Sequence, residues 1–92
     1  MESQYYDIGQ LASGDAVIVS LSGGAATVHL VDSENFANFK NGANYNYSGG
    51  WTDQSSLQLT VPHPGWWHVI VDFGEYRGIV KSHVLVRPGW RN

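Results

Sequence analysis

The sequence predicts an all-β fold: an antiparallel β-sandwich, jelly-roll-like, of roughly six to eight short strands with one short connector helix. Three observations carry this expectation. Apolar and polar residues alternate at period two through most apolar stretches, above all through residues 61–73, VPHPGWWHVIVDF. Turn formers recur between those stretches, at Gly14, Gly23 and Gly24, Gly42, Gly49 and Gly50, Pro64 and Gly65, and Pro88 and Gly89. Helical spacing is confined to one stretch, residues 33–40, too short to form a layer.

Taken in order, residues 1–10 are polar with two tyrosines, Tyr5 and Tyr6, and suit a short edge strand or an ordered arm. Asp15 follows Gly14 and reads as a turn residue, because Asp bonds its own backbone readily. Residues 15–21 alternate, with Val17, Val19 and Leu21 inward and Ala16, Ile18 and Ser20 outward. Gly23 and Gly24 supply the conformational freedom a tight hairpin needs, and residues 26–32 are its return strand, with Val28 and Leu30 on one face and Thr27, His29 and Val31 on the other.

Asp32 or Ser33 caps the helix at 33–40 by accepting an orphan amide bond. Glu34 near its start and Lys40 near its end suit the helix dipole, and Asn41 and Gly42 end it. Phe36 and Phe39 share one helix face, expected at the sandwich edge. Tyr45 to Tyr47 reads as a short strand, and Gly49 with Gly50 as a turn or bulge. Residues 56–61 place Leu57, Leu59 and Val61 inward.

The segment 61–73 is the central strand. Trp67, Val69, Val71 and Phe73 form its core face, and Trp66, His68, Ile70 and Asp72 the opposite one. Residues 74–78 form a loop of hairpin length. The last strand, 79–86, turns Val80, Ser82, Val84 and Val86 inward and Ile79, Lys81, His83 and Leu85 outward.

Composition bounds the function. Ninety-two residues make one domain, 1–92, with a thin core. Charged residues make up 14% of the chain, against about 25% in typical domains. A surface so poor in charge suits subunit contacts or a neutral polar ligand, so self-association as a homo-oligomer is expected. The net charge is −3, and the five Lys and Arg form no run. A basic patch for phosphate backbones is missing, which argues against nucleic acid and anionic membranes. No apolar run approaches the roughly 18–20 residues of a membrane helix. The N-terminal residues MESQYYDIGQ have neither a basic nor an apolar secretory region, so a cytoplasmic location is expected. The absence of cysteine excludes disulfides, thiol catalysis and cysteine-ligated zinc.

Several stretches together resemble a known family: LASGDAVIVSLSGGAATVHLVDSENFANFKNG, YNYSGGW, LTVPHPGWWHVIVDFG with its Gly65, Trp67 and His68 spacing, and RGIVKSHVLV. They are similar to the bacterial domain-of-unknown-function family numbered eighteen eighty-three. The resemblance covers roughly residues 4–86 and leaves out the tail from Arg87. It implies a small β-sandwich, found in bacteria alone or fused to a TIR signalling domain, which makes a signalling domain a candidate partner. The family has no assigned activity, so no catalytic residue carries over.

Chemistry-bearing patterns are few. No nucleophile elbow, paired carboxylates or phosphate loop is present, and the expectation is a non-enzymatic binding or interaction module without a cofactor. Four histidines are many for this length. If their strands are neighbours, His29, His68 and His83 with Asp72 could hold zinc, but no HxH or HxxxH spacing supports this, and separate half-exposed strand residues explain them as well. His63, between Pro62 and Pro64, reads as a structural loop residue. The stronger candidates are aromatic. Tyr45, Tyr47, Trp51 and Trp66, with Tyr76, His68 and the amides of Asn44, Asn46 and Gln54 nearby, could stack on a sugar or a partner. They could equally close the ends of the sandwich. Ile70, Trp66 and Ile18 could form a dimer face.

Overall fold

The computed structural model describes residues 2–75 and 78–89, apart from the side chain of Glu2. Seven strands and one helix follow among the described residues: β1 (Glu2–Leu11), β2 (Ala16–Ser22), β3 (Ala26–Asp32), α1 (Ser33–Lys40), β4 (Ser48–Thr52), β5 (Ser56–Thr60), β6 (Gly65–Gly74) and β7 (Lys81–Arg87). They form two antiparallel sheets. The four-stranded sheet has the order β1-β6-β3-β4 and the three-stranded sheet β5-β2-β7. Most successive strands alternate between sheets, which is the jelly-roll-like feature expected; β3 and β4 pair directly.

The core lies between the sheets and follows the alternation in the sequence. Val17, Val19 and Leu21 of β2 face Val28 and Leu30 of β3 and Trp67, Val69, Val71 and Phe73 of β6, all buried. Leu57, Leu59, Val80, Val84 and Val86 pack against this cluster half-buried.

Both expected hairpins are absent. β2 pairs with β5 and β7, and β3 pairs with β6 and β4, so the turn at Gly23 carries the chain across the core. The same holds for β6 and β7, which lie in different sheets. A hairpin would put the apolar faces of its two strands side by side with nothing opposite. An arch lays one over the other and buries both. Glycine serves either geometry. At Gly23, with φ 97°, a Cβ would lie 2.0 Å from the carbonyl oxygen of Ile79.

Two further expectations are corrected. Residues 43–47, with Tyr45 and Tyr47, belong to no strand, whereas Gly49 and Gly50 lie inside β4. Gly49 has φ 109°, and a Cβ there would meet the Val28 carbonyl oxygen at 2.2 Å, so close strand approach selects glycine. The N-terminal strand is long rather than short, pairing with β6 along the sheet edge and broken by a bulge between Asp7 and Gly9. Such a bulge twists an edge away from further pairing.

Asp15 confirms its expected turn role. Its buried carboxylate accepts from Ala12 N and Gly89 N, both at 2.9 Å, while its backbone oxygen accepts from Val61 N at 2.8 Å. One side chain thus joins the β1–β2 turn to the end of β7. At the β1 edge, the Tyr6 hydroxyl donates to the Ser82 carbonyl at 3.0 Å and bonds the Ser82 hydroxyl, tying β1 to β7 across the sheets. The loop residues Tyr76 and Arg77 and the tail Trp90, Arg91 and Asn92 lie outside the described residues.

Two stability differences follow. Trp67→Ala should cost about 3–5 kcal/mol by urea denaturation, and the half-exposed Trp66→Ala only about 1 kcal/mol. Equal effects would mean the faces of β6 are assigned the wrong way round. Asp15→Ala should cost about 3 kcal/mol, because two amides lose a charged acceptor in a buried place.

Candidate functional site

The middle of the outward face of β6 is closed to solvent. Ile70 is 3% exposed and His68 9%, and Val31 beside them on β3 is fully buried. Helix α1 and the segment 43–47 lie over this face. Asp32 caps the helix as expected, its Oδ1 accepting from Asn35 N at 2.9 Å. Glu34 occupies the first turn and Lys40 the last. The helix follows β3 directly and so folds back onto its own sheet. Phe36 and Phe39 therefore lie on the sheet face instead of the expected sandwich edge. Phe36 stacks on His68 at 4.3 Å between ring centres, with planes 9° apart.

The segment 43–47 covers the neighbouring row. Tyr47 stacks on His29 at 3.7 Å, and the Tyr45 hydroxyl bonds His29 Nδ1 at 2.9 Å. Between these layers a cavity of about 120 Å³ stays open. Ile70 lies at its floor, Tyr5, Phe39 and Tyr45 line it as rings, and His29 and Asp72 line it as titratable groups. The three rings meet edge to face. Tyr5 and Phe39 are 5.8 Å apart at 72°, and Phe39 and Tyr45 are 5.4 Å apart at 77°. Ser3 and Thr27 complete the lining with hydroxyls.

The electrostatics of the cavity are uneven. Burial pushes the His29 imidazole below its ordinary value of 6.5, and the nearby Asp72 carboxylate offsets this only in part. Burial raises the Tyr45 phenol, with Tyr47 and Asp72 acting the same way. Both groups are thus neutral at pH 7. Asp72 Oδ1 accepts from Gly74 N at 2.7 Å, which fixes the carboxylate at the rim.

The expected site residues separate into groups. Tyr45 and Tyr47 come together around His29. Trp51 pairs with Thr27 on the same face, and its ring is 67% exposed. It borders a second hollow of about 140 Å³ that shares Thr27 and Asp72 with the first. Trp66 stands apart. It lies six residues before Asp72 on β6, about 20 Å along the strand, and its indole donates to Asp7 Oδ1 at 2.5 Å. His68 is buried between Phe36 and the sheet and bonds the Ser33 hydroxyl at 3.0 Å through Nε2, so it packs rather than faces a ligand.

The zinc grouping does not assemble. His29, His68 and Asp72 lie on the four-stranded sheet, but His83 is on β7 in the other sheet, facing out on the far side of the core. Among the described residues no three His, Asp or Glu groups converge on a metal position. The proposed dimer patch also dissolves, because Ile70 is covered and Ile18 belongs to the three-stranded sheet. Tyr76 lies outside the described residues.

A further hollow of about 130 Å³ sits at the end of the sandwich between Asp32, Asn35, Asn46, Tyr47 and His63. Its polar groups satisfy one another. Asp32 accepts from Asn35 twice and lies 3.5 Å from His63 Nε2, and Asn35 Oδ1 accepts from Asn46 N. The His63 carbonyl accepts from the Trp67 indole at 3.2 Å, and the residue itself lines this hollow.

Residues 1–89 match the model of the family described as Domain of unknown function (DUF1883). The chain belongs to this family. No curated protein and no solved structure matches it. The match reaches past residue 86, the limit of the motif-based resemblance, to include Gly89, whose amide anchors on Asp15. The DUF1883 domain therefore includes the end of β7 and the clasp that holds it. No helix among its described residues is long and apolar enough to cross a membrane.

Sequence reasoning singled out Tyr45, His29 and Asp72 but not Tyr5 or Phe39 as site residues. Tyr5 shares parity with Ser3 and Asp7 on β1, and Phe39 with Phe36 on α1; only the pairing of Tyr5 with Ile70 places them together. For His29, histidine-resolved NMR should show a midpoint below 6.5. Because the unfolded chain then binds the proton more readily, His29 should make stability fall as pH drops from 6.5 through that midpoint. A midpoint at or above 6.5 would contradict the burial described.

Proposed function

We propose that this domain is a non-enzymatic ligand-binding module whose binding face is the outer face of the four-stranded sheet. One observation carries the reading: three rings stand edge to face around an open cavity with an apolar floor and a few polar groups, His29, Asp72, Ser3 and Thr27, at its wall. Ligand sites are typically mostly apolar concavities with a few placed polar groups. The opposite outer face carries Ile18 beside Leu85 in register, with Gln58 and His83 nearby.

A second reading, carbohydrate binding, is favoured by the flat, exposed rings of Tyr47 and Trp51, 52% and 67% exposed on the same side of the sheet. Asn44 and Asn46 are exposed close by in sequence. Trp66 takes no part in it. Self-association is a separate proposal, resting on the charge-poor surface and on Leu85, half exposed beside Ile18. In this scheme the signalling domain implied by the family resemblance acts in trans and responds to ligand occupancy.

The test is a ligand-observed and protein-observed NMR screen of a small-molecule and glycan library. Binders should shift the amide resonances of His29, Tyr45 and Ile70. Sugars that instead perturb Trp51 and Tyr47 alone favour the carbohydrate reading. A library that leaves every one of these resonances still would count against both.

A further inference from the structure

Building on the reading of this cavity as a ligand site, we propose that it binds a small quaternary ammonium cation of the choline type, its methylated head among Tyr5, Phe39 and Tyr45 and its charge balanced by Asp72.

The ring geometry is the first argument. An aromatic face carries partial negative charge and attracts a cation within about 6 Å of its centre. Rings set edge to face at 72° and 77° wall a hollow from several directions. That arrangement suits a rounded cation with no hydrogen-bond donors, which needs faces and not acceptors. A primary ammonium would give up a stronger hydration shell here, and aromatic faces replace little of it.

The charge distribution is the second. Among the described residues, Asp72 is the acidic group lining the cavity, and no Lys or Arg lines it. His29 brings no positive charge at neutral pH, because burial outweighs the pull of Asp72 on its proton. The neighbouring ring of the same layer already carries a cation. The Lys40 ammonium sits 5.5 Å from the centre of Phe36.

Size is the third. A cavity of about 150 Å³ holds a benzene-sized guest, and this hollow of about 120 Å³, open at its mouth, suits a trimethylated head of similar bulk. The rest of the molecule leaves by the open mouth toward Thr27 and the hollow beside Trp51, where a hydroxyl or a short chain finds room.

The full chain should be titrated by NMR with tetramethylammonium, choline, free Nε-trimethyl-lysine and 3,3-dimethylbutan-1-ol, the neutral carbon isostere of choline. Choline and tetramethylammonium should bind saturably and shift His29, Tyr45 and Ile70, with the isostere at least about tenfold weaker. Asp72→Asn, which keeps an acceptor for Gly74 N, should weaken choline about tenfold and leave the isostere unchanged. Tyr45→Leu should weaken all cationic arms about tenfold, with the melting curve reporting that the variant is folded. Tighter binding of trimethyl-lysine than of choline would keep the cation chemistry and assign it to a modified protein side chain. Isostere and choline binding equally would overturn the cation while leaving a ligand site. Silence of every quaternary compound, with other library members shifting the same resonances, would overturn the inference and leave the binding module standing. Silence of all compounds would overturn both.

Discussion

Strand β6 has almost no solvent face, and the rest of the domain is arranged around that constraint. Its inner side is the centre of the core, and its outer side carries Ile70 and His68, both buried. A 92-residue chain buries only about 60–65% of its exposable surface, so it cannot leave a long apolar strand half-wet. The second sheet covers one side. The other side needs a separate cover, and the chain supplies it from α1 and residues 43–47. The small helix is thus more than a connector. Its two phenylalanines do on the outer face what β2 does on the inner one.

This cover is thin, and its thinness makes a site. Two turns of helix and an irregular segment cannot close a sheet face as a full layer would. They meet it with rings, which span distance with little backbone. Rings that contact one another edge to face leave a hollow where three of them meet above Ile70. The polar groups of the neighbouring row, His29 and Asp72, then line a low-dielectric wall, where burial shifts His29 and Tyr45 toward their neutral forms. Packing and recognition use the same side chains here. Alanine at Phe36 would therefore report on stability, while changes at Tyr45 and Asp72, nearer the mouth, separate recognition from folding.

Local chemistry was legible wherever one short stretch decided it. The alternation of Val17, Val19 and Leu21 and of Trp67, Val69, Val71 and Phe73 named the core. Asp32 named the helix cap, and Asp15 a turn. Legibility failed wherever the answer depended on which strands become neighbours. Gly23 permits a hairpin and an arch alike, and only the need to bury two apolar faces against each other chose the arch. Tyr45 and Tyr47 alternate as a strand would, yet stacking on His29 holds them outside the ladder. His83 has the same outward parity as His29 and His68, but its strand lies in the other sheet.

The sequence by itself determined the class of fold, the core-facing residues of β2, β5, β6 and β7 and the kind of side chain available for a site. Those follow from period-two burial and from turn and cap chemistry, which act over a few residues. The tertiary structure alone decided the sheet each strand joins, the burial of His68 and Ile70, and the meeting of Tyr5, Phe39 and Tyr45 over Asp72. Those depend on contacts between residues far apart in the chain, and parity along a single strand carries no information about them.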